Sequence, residues 1–269
     1  MTSAPFLSRR EQFGSIESTN DIVRDWLAAG TPEVCLAVAA EQTAGRGRQG
    51  RSWVAPEGTA LLLSLGFRPS YLQPDRLWRL SAAVALSMVD AAEDVAGLPL
   101  GTLRLKWPND IVVDRPDGLR KLAGLLSEAA TGDGAEPLAV VGIGTNADWP
   151  AERFPAELAG SMTSLREVSG RPVDTGRLLD EFLTRLEPRV LGLREGQFDV
   201  AGWHDRQATT GRLVRLEATG VEAEEALAVG VDGASGALIV CDPAGGTERE
   251  VLAGEVAGVR LAETGGVTP

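Results

Sequence analysis

Apolar residues recur every three or four positions in two long segments, and this spacing predicts amphipathic helices over residues 75–96 and 175–195. A shorter helix is predicted over residues 19–29, where Ser18 can cap the first turn and Gly30 can end the last. We expect these three helices to pack against a sheet.

Short apolar segments separated by turns predict strands at residues 34–41, 60–67, 102–107, 111–113, 121–129 and 138–144. The last four follow one another closely, as in a meander. Beyond Gly211 the chain changes to short strands with glycine turns, at residues 212–218, 226–232, 237–241 and 248–261. The sequence therefore predicts an α+β fold with a mixed sheet and helices over residues 1–208, followed by a small β-barrel over residues 209–269.

The charge balance limits the partners of this chain. Its 38 acidic and 26 basic side chains give a formal net charge of -12, which disfavours general binding to nucleic acid or anionic membranes. No apolar run approaches the roughly 18 residues of a membrane span, and Arg9, Arg10 and Glu11 interrupt the start where a signal peptide needs apolar residues. We expect a cytoplasmic protein. One histidine and two distant cysteines predict no metal site.

Two residue types are rare. Lys106 and Lys121 are the only lysines among 26 basic residues, and asparagine occurs only at positions 20, 109 and 146. A GC-rich genome would deplete both types, so rarity alone proves nothing. It does direct attention to the short stretches that contain these residues.

Residues 45–51 alternate glycine with three arginines inside the long polar loop 42–58. Such a segment can wrap an anion, or it can be a solvated loop. Residues 106–110 read Lys-Trp-Pro-Asn-Asp, either a functional turn or an ordinary one with a surface lysine. In residues 121–126, a lysine opens an apolar strand and is suited to meeting a carboxylate or phosphate.

Two nucleotide-binding patterns are disfavoured. The P-loop pattern does not occur in the sequence, and the Gly-x-Gly-x-x-Ala at residues 142–147 is followed by Pro150, where a dinucleotide fold needs a helix. Neither a conventional NTPase nor a Rossmann enzyme is expected.

Taken together, five motifs resemble those of the biotin protein ligases in order and approximate spacing. They are Ser18-Thr19-Asn20, the arginine-glycine loop 45–51, Lys-Trp-Pro-Asn-Asp at 106–110, Lys-Leu-Ala-Gly-Leu-Leu at 121–126 and Gly-Ile-Gly-Thr-Asn at 142–146. The resemblance implies a class II synthetase-like catalytic domain and an SH3-like barrel. Thr145 stands where the family usually has an apolar residue. Because 17 residues precede Ser18, a monofunctional form without the DNA-binding domain of the repressor members is expected.

The resemblance also implies a reaction. ATP with Mg²⁺ and biotin would form biotinyl-5'-AMP, and the biotinyl group would then pass to a lysine of the biotin carboxyl carrier domain of acetyl-CoA carboxylase or a related acyl-CoA carboxylase. No tightly bound prosthetic group is expected, and a homodimer is compatible with the resemblance.

Carried over position by position, the resemblance assigns three sets of site residues. The catalytic set is Lys121, Arg48 and Asp110. The biotin set is Ser18, Thr19, Gln42, Gly45, Arg46, Lys121, Gly124 and Leu126. The ATP and phosphate set is Arg48, Arg51, Trp53, Lys106, Asn109 and Asn146, with no protein metal site.

Two alternative functions stay open at this point. Lipoate or octanoate ligation or transfer uses the same catalytic-domain fold and a strand lysine comparable to Lys121. A non-catalytic phosphate-binding or RNA-binding module could be built on residues 45–51. The net charge of -12 argues against it, and with a single tyrosine, Tyr71, aromatic platforms for base stacking would be few.

Overall fold

The computed structural model describes residues 6–131, 136–217, 222–254 and 258–261. The chain forms two compact units, Met1–Arg104 with Asn109–Phe198, and Leu105–Pro108 with Asp199–Pro269. The domain limits predicted at residues 208 and 209 stay a prediction. Within the described residues, no helix combines the length and apolar character that a membrane span requires.

The first sheet has seven strands in the order β1-β2-β3-β7-β6-β5-β4. Its strands are β1 (Arg9–Ile16), β2 (Cys35–Gln42), β3 (Ala60–Phe67), β4 (Leu103–Lys106), β5 (Asp110–Arg115), β6 (Gly118–Thr131) and β7 (Pro137–Asn146). β1 is parallel to β2, whereas β2–β3, β3–β7, β5–β6 and β6–β7 are antiparallel, so the predicted mixed sheet is confirmed.

Four helices belong to this first unit, namely α1 (Thr19–Ala28), α2 (Trp78–Ala96), α3 (Leu165–Ser169) and α4 (Thr175–Arg194). α1 packs on β2, β3 and β7, and α2 packs on α4. Val23, Leu27 and Cys35 are almost fully buried where α1 meets the sheet, so the apolar face of α1 holds its N-terminus at a fixed place over the strands.

The second unit contains α5 (Val200–Asp205) and a five-stranded antiparallel sheet of order β11-β10-β9-β8-β12. These strands are β8 (Arg212–Glu217), β9 (Glu224–Val231), β10 (Leu238–Cys241), β11 (Arg249–Val251) and β12 (Gly258–Leu261). The strand predicted over residues 248–261 is wrong as one element, because two short strands lie at opposite edges of the sheet. Over the described residues the edge strands β11 and β12 are not paired with each other, so the sheet is open and the predicted closed barrel is not seen.

Residues Leu105–Pro108 belong to this second unit through their hydrogen bonds. The Leu105 N–H donates to Arg206 O at 2.7 Å, and Leu105 O accepts from the Ala208 N–H at 2.7 Å. The Trp107 indole Nε1 donates to Gly236 O at 3.0 Å. The lysine at position 106 is therefore fixed by the C-terminal part of the chain.

Several element limits differ from the predictions. The sequence does not predict β1, because this edge strand has few apolar residues and most of its positions alternate between half-buried and exposed. α3 was too short for a periodic signal. The strands predicted at residues 111–113 and 121–129 are longer in the structure, because β5 extends to Arg115 and β6 begins at Gly118. Asp174 caps α4 as a good N-cap residue, accepting from the Gly176 and Arg177 N–H groups.

Candidate active site

Three glycines make a smooth patch on the sheet of the first unit. Gly124 of β6 pairs with Gly144 of β7, and Leu126 pairs with Gly142. Because residues two apart on a strand point to the same face, Gly142 and Gly144 share one face with Gly124 beside them. We call Gly124, Gly142 and Gly144 the glycine floor, and each lies against a side chain of Lys121, Trp53 or Asn20 that a Cβ would displace.

Four polar side chains meet beside Gly124, and we call Arg48, Asn109, Asp110 and Lys121 the charged cluster. Lys121 Nζ lies 2.6 Å from Asp110 Oδ1. Asn109 Nδ2 donates to Leu125 O at 2.7 Å, and Asn109 Oδ1 accepts a long hydrogen bond of 3.4 Å from Arg48. Burial lowers the pKa of the Arg48 guanidinium, and the negative charge of Asp110 opposes that shift. The cluster thus holds two cations in a partly desolvated place.

A bulge turns Lys121 toward this cluster. Ile111 pairs with Ala123, but the next residue, Val112, pairs with Lys121, so Leu122 has no partner of its own on β5. Residues three apart on a regular strand point to opposite faces. In this structure Lys121 Nζ instead lies 2.9 Å from the place where a Gly124 Cβ would be.

The backbone of Lys121 is held from the other side by residues 161–163. The Lys121 N–H donates to Ser161 O at 2.8 Å, and Lys121 O accepts from the Thr163 N–H at 2.9 Å. Asn146 Nδ2 donates to Thr163 O at 3.0 Å and fixes this segment. Asn146, predicted at the nucleotide, therefore also supports the lysine backbone.

A second group of side chains is joined by hydrogen bonds next to Gly142, and we call Thr19, Asn20, Gln42 and Ser64 the neutral cluster. Gln42 Oε1 accepts from the Thr19 backbone N–H at 2.7 Å. The Thr19 and Ser64 hydroxyl oxygens are 2.6 Å apart, and Ser64 donates to Asn20 Oδ1 at 2.6 Å. A Cβ on Gly142 would stand 2.2 Å from Asn20 Oδ1, so glycine is required there. Ser18 is buried next to this cluster, but its side chain does not cap α1 as predicted.

The arginine-glycine loop crosses between the two clusters. Arg46 makes a bidentate pair with Asp21 of α1, with both N–O distances 2.8 Å, and a further contact of 3.3 Å with Glu128. The Trp53 N–H donates to Gly45 O at 2.8 Å, and a Cβ on Gly45 would meet Trp53 O at 2.4 Å. The loop is thus hydrogen-bonded within itself and tied to α1.

The Trp53 indole covers the glycine floor. Its ring atoms lie 2.4 Å from the Cβ position of Gly144 and 3.0 Å from that of Gly124. Lys121 Nζ is 5.4 Å from the ring centroid, within cation–π range. The Trp53 ring can lie this close to the strands because the two residues beneath it, Gly124 and Gly144, have no side chain.

Comparisons with known proteins agree with this geometry. The model of the biotin/lipoate A/B protein ligase family matches residues 13–146. The biotin–acetyl-CoA-carboxylase ligase of Mycobacterium tuberculosis is 33% identical over 227 residues, covering 84% of this chain and 79% of that protein. The enzyme of the same name from Paracoccus denitrificans is 33% identical, with 84% and 90% covered. This chain belongs to the biotin/lipoate A/B protein ligase family.

A solved structure supports the same assignment over nearly the whole chain. The biotin protein ligase from Aquifex aeolicus in complex with biotin and ATP has a TM-score of 0.77 and 25% identity, covering 94% of this chain and 99% of that one. The family match includes every residue of the charged cluster and the neutral cluster. Both clusters therefore lie in the ligase-family part of the chain.

The structure brings together most of the predicted site residues of this family member. Lys121, Arg48, Asp110, Asn109 and Trp53 are around Gly124, and Thr19 and Gln42 are hydrogen-bonded to each other beside Ser64, which pairs with Gly142. Arg51 lies on the same loop and accepts from the Gly47 N–H through its carbonyl oxygen at 2.6 Å. Lys106 belongs to the second unit, so its predicted phosphate role stays a prediction.

The sequence motifs do not reveal every polar residue of the site. Ser64 lies in the apolar strand predicted over residues 60–67, where it is the only polar side chain of β3, and it is fully buried. A lone hydroxyl in such a strand is a usable signal, because a buried hydroxyl needs a hydrogen-bond partner. Neither the rarity of Asn20 nor its place in a motif assigns it a role, and nothing in the local pattern distinguishes Glu128 from a surface carboxylate.

Proposed function

We propose that the chain is a biotin protein ligase that activates biotin with ATP to biotinyl-5'-AMP and transfers the biotinyl group to a lysine of a carboxylase carrier domain. The family membership and the two relatives named as ligases of acetyl-CoA carboxylase support this function. The observation that carries it is the arrangement on one sheet face, with a lysine–carboxylate pair at one end of the glycine floor and a neutral cluster at the other.

The first step joins two anions. The biotin carboxylate attacks the α-phosphorus of Mg-ATP, and pyrophosphate leaves. Repulsion between the carboxylate and the phosphate must be offset by cations already in place. Lys121 is the point charge suited to both groups, because its ammonium has three donors and no planar fork. Arg48 is a second, partly desolvated cation, and Arg51, Asn109, Asn146 and Lys106 complete the proposed nucleotide set.

The neutral cluster suits the head group of biotin. The cyclic urea offers two N–H donors and a carbonyl acceptor, and the buried hydroxyl of Thr19 and the partly buried amide of Gln42 can pair with them. In this proposal Ser18, Gly45 and Arg46 border the head group, while Gly124 and Leu126 contact the apolar bicycle. Lipoate carries an apolar dithiolane ring instead, which would leave these buried groups unpaired at a cost of about 1–3 kcal/mol each.

The second step needs a neutral amine. The carrier lysine loses a proton before its nitrogen attacks the acyl carbon, and AMP leaves. Asp110 pairs with Lys121 at 2.6 Å. If Lys121 turns to the adenylate, Asp110 is left as a carboxylate able to orient and deprotonate the incoming lysine. Trp53 would leave the floor when biotin enters and close over the adenylate.

The finer predictions belong to the same proposal. They are a closed SH3-like barrel in the C-terminal unit, a cytoplasmic location and a carrier domain of acetyl-CoA carboxylase or a related acyl-CoA carboxylase as the acceptor. A homodimer is compatible with it.

Pyrophosphate release, measured in parallel with biotin and with lipoate as the only carboxylate substrate, tests the proposal. We expect release with biotin and a rate at least tenfold lower with lipoate. Mass spectrometry of an added carrier domain should then show one biotinyl group on a lysine. Equal or faster release with lipoate would reassign the chain to the lipoate branch of the family, and release with neither would contradict both functions.

A further inference from the structure

A line of hydrogen bonds runs beneath the proposed biotin pocket, from the partly exposed Glu128 through the buried Asn20 and Ser64 to Thr19. Asn20 Nδ2 lies 3.2 Å from Glu128 Oε2, Ser64 Oγ lies 2.6 Å from Asn20 Oδ1, and Thr19 Oγ1 lies 2.6 Å from Ser64 Oγ. Thr19, Asn20 and Ser64 are each at most 5% exposed. Water therefore has little access to exchange these bonds, and their directions can be worked out from chemistry.

The direction is set at the carboxylate end. Glu128 is paired with Arg46, and as a carboxylate it can only accept, so the Asn20 amide must present its NH₂ group to it. The Leu126 carbonyl, 3.5 Å from the same Nδ2, also can only accept. The Asn20 oxygen then faces Ser64, and the single hydroxyl proton of Ser64 is committed to that oxygen.

The commitment of the Ser64 proton decides the next bond. Two oxygens 2.6 Å apart require a proton between them, and Ser64 has none left, so the Thr19 hydroxyl donates to Ser64. Gln42 Oε1, 3.0 Å from the same hydroxyl, is farther away and already accepts from the Thr19 backbone N–H at 2.7 Å. The Thr19 oxygen is left with lone pairs only.

We propose that Ser64 is a positioning residue that fixes the polarity of the ligand site by holding the Thr19 hydroxyl as an acceptor. Thr19 can then bind a ligand N–H but cannot donate to a ligand oxygen. The Gln42 amide, whose oxygen is occupied, has its NH₂ group as the complementary donor for a carbonyl. The site thus selects a cyclic urea, with both groups in one ring, over a cyclic carbamate of the same shape. This inference rests on the proposed function.

Gly142 permits this arrangement. It pairs with Ser64 across β3 and β7, and its missing side chain lets Asn20 Oδ1 approach both residues. The backbone at Gly142, the Asn20 amide and the two hydroxyls therefore pack together as one unit.

The test compares the dissociation constants of biotin and of two cyclic carbamate analogues, each with one ureido N–H replaced by a ring oxygen, by calorimetry with the full chain. For the wild type we expect the analogue whose oxygen faces Thr19 to bind about 10- to 100-fold more weakly. In Ser64→Ala the Thr19 proton is no longer committed to Ser64 and can turn between Gln42 Oε1 and the ring oxygen of that analogue, so the ratio should fall to threefold or less. A general loss of packing would weaken both ligands alike and leave the ratio unchanged.

A second variant, Asn20→Ala, should also free the Thr19 hydroxyl proton. Asn20→Ala removes the acceptor of the Ser64 proton, so Ser64 can donate to Thr19, and the ratio should again fall. Ser87→Ala is the matched control, because Ser87 is also fully buried and hydrogen-bonded, to Ala83 O at 2.7 Å, but lies in α2. We expect the wild-type ratio in this control.

The outcomes separate the two claims. A wild-type ratio in folded Ser64→Ala or in folded Asn20→Ala, with biotin still bound, would overturn the role of Ser64 and leave the ligase function intact. No binding of biotin by the wild type in the presence or absence of Mg-ATP would overturn the proposed function.

Discussion

The two clusters on the glycine floor hold their polar groups in different ways. In the neutral cluster, Thr19, Asn20 and Ser64 are at most 5% exposed and bond to one another, and the partly buried Gln42 accepts from the Thr19 backbone. In the charged cluster, the side chain of Lys121 is 37% exposed and that of its ion-pair partner Asp110 is 18% exposed. Most of the neutral cluster therefore lies in the core, whereas the charged cluster contains an ion pair that solvent can reach.

This difference fits a division of work between recognition and chemistry. Buried neutral groups have fixed directions, so they can reject a ligand whose donors and acceptors are misplaced. A half-exposed ion pair can exchange partners at small cost, because such pairs contribute little net stability. Lys121 can therefore leave Asp110 for a substrate anion and return. The predictions below test this division, in order of expected effect.

The largest effect should come from Lys121→Arg. A planar guanidinium cannot take the place of a compact ammonium between a carboxylate and a phosphate, so biotinyl-adenylate formation should fall by about 100- to 1,000-fold. Assays of pyrophosphate release, stopped at set times, measure the rate of adenylate formation. The control is Arg249→Lys, an exchange in an exposed pair with Glu224, which should leave the rate unchanged. A near-wild-type rate in Lys121→Arg would mean that the charged cluster is not the reacting end.

Asp110→Asn should affect the second step more than the first. Without a carboxylate to deprotonate the carrier lysine, transfer should slow by about 100-fold, while adenylate formation should change by less than tenfold. Single-turnover assays with preformed biotinyl-5'-AMP measure the two steps separately. Equal losses in both would place Asp110 at the magnesium or the nucleotide.

Gly142→Ala should weaken biotin binding without altering the chemistry. The new Cβ would push Asn20 from its site and break the neutral cluster, raising the KM for biotin by roughly tenfold at nearly constant kcat. Gly144→Ala is the paired variant, since its Cβ meets the Trp53 ring instead, and it should change tryptophan fluorescence. If Gly142→Ala lowered kcat and left KM alone, the two ends of the floor would not be separate.

The smallest effect concerns the loop that joins the clusters. Asp21→Asn removes the bidentate partner of Arg46, and the loss of an exposed pair should speed tryptic cleavage after Arg46 by about two- to fivefold. Biotin with Mg-ATP should slow that cleavage. Asp180→Asn, at the remote exposed pair with Arg10, is the control. Cleavage unaffected by Asp21→Asn would show that α1 does not hold the loop.

Long periodic elements were predicted well from the sequence. β3 begins and ends where expected, at Ala60 and Phe67, and α4 differs from its predicted end by one residue. Their signal is strong because burial repeats along many residues. β1 and the division of residues 248–261 into two strands were not found, because edge strands and short strands have too little burial to leave a pattern.

Local motifs in their order along the chain are enough to predict the family, the strand bearing Lys121 and the residue types of the charged cluster. The direction in which Lys121 faces cannot be predicted in this way, because it follows from a bulge where β6 pairs with β5. Only the tertiary structure joins Ser64, Asn20 and Glu128 into one line of hydrogen bonds. These residues are 44 to 108 positions from their partners along the chain, and a hydrogen bond between distant segments leaves no periodicity in either of them.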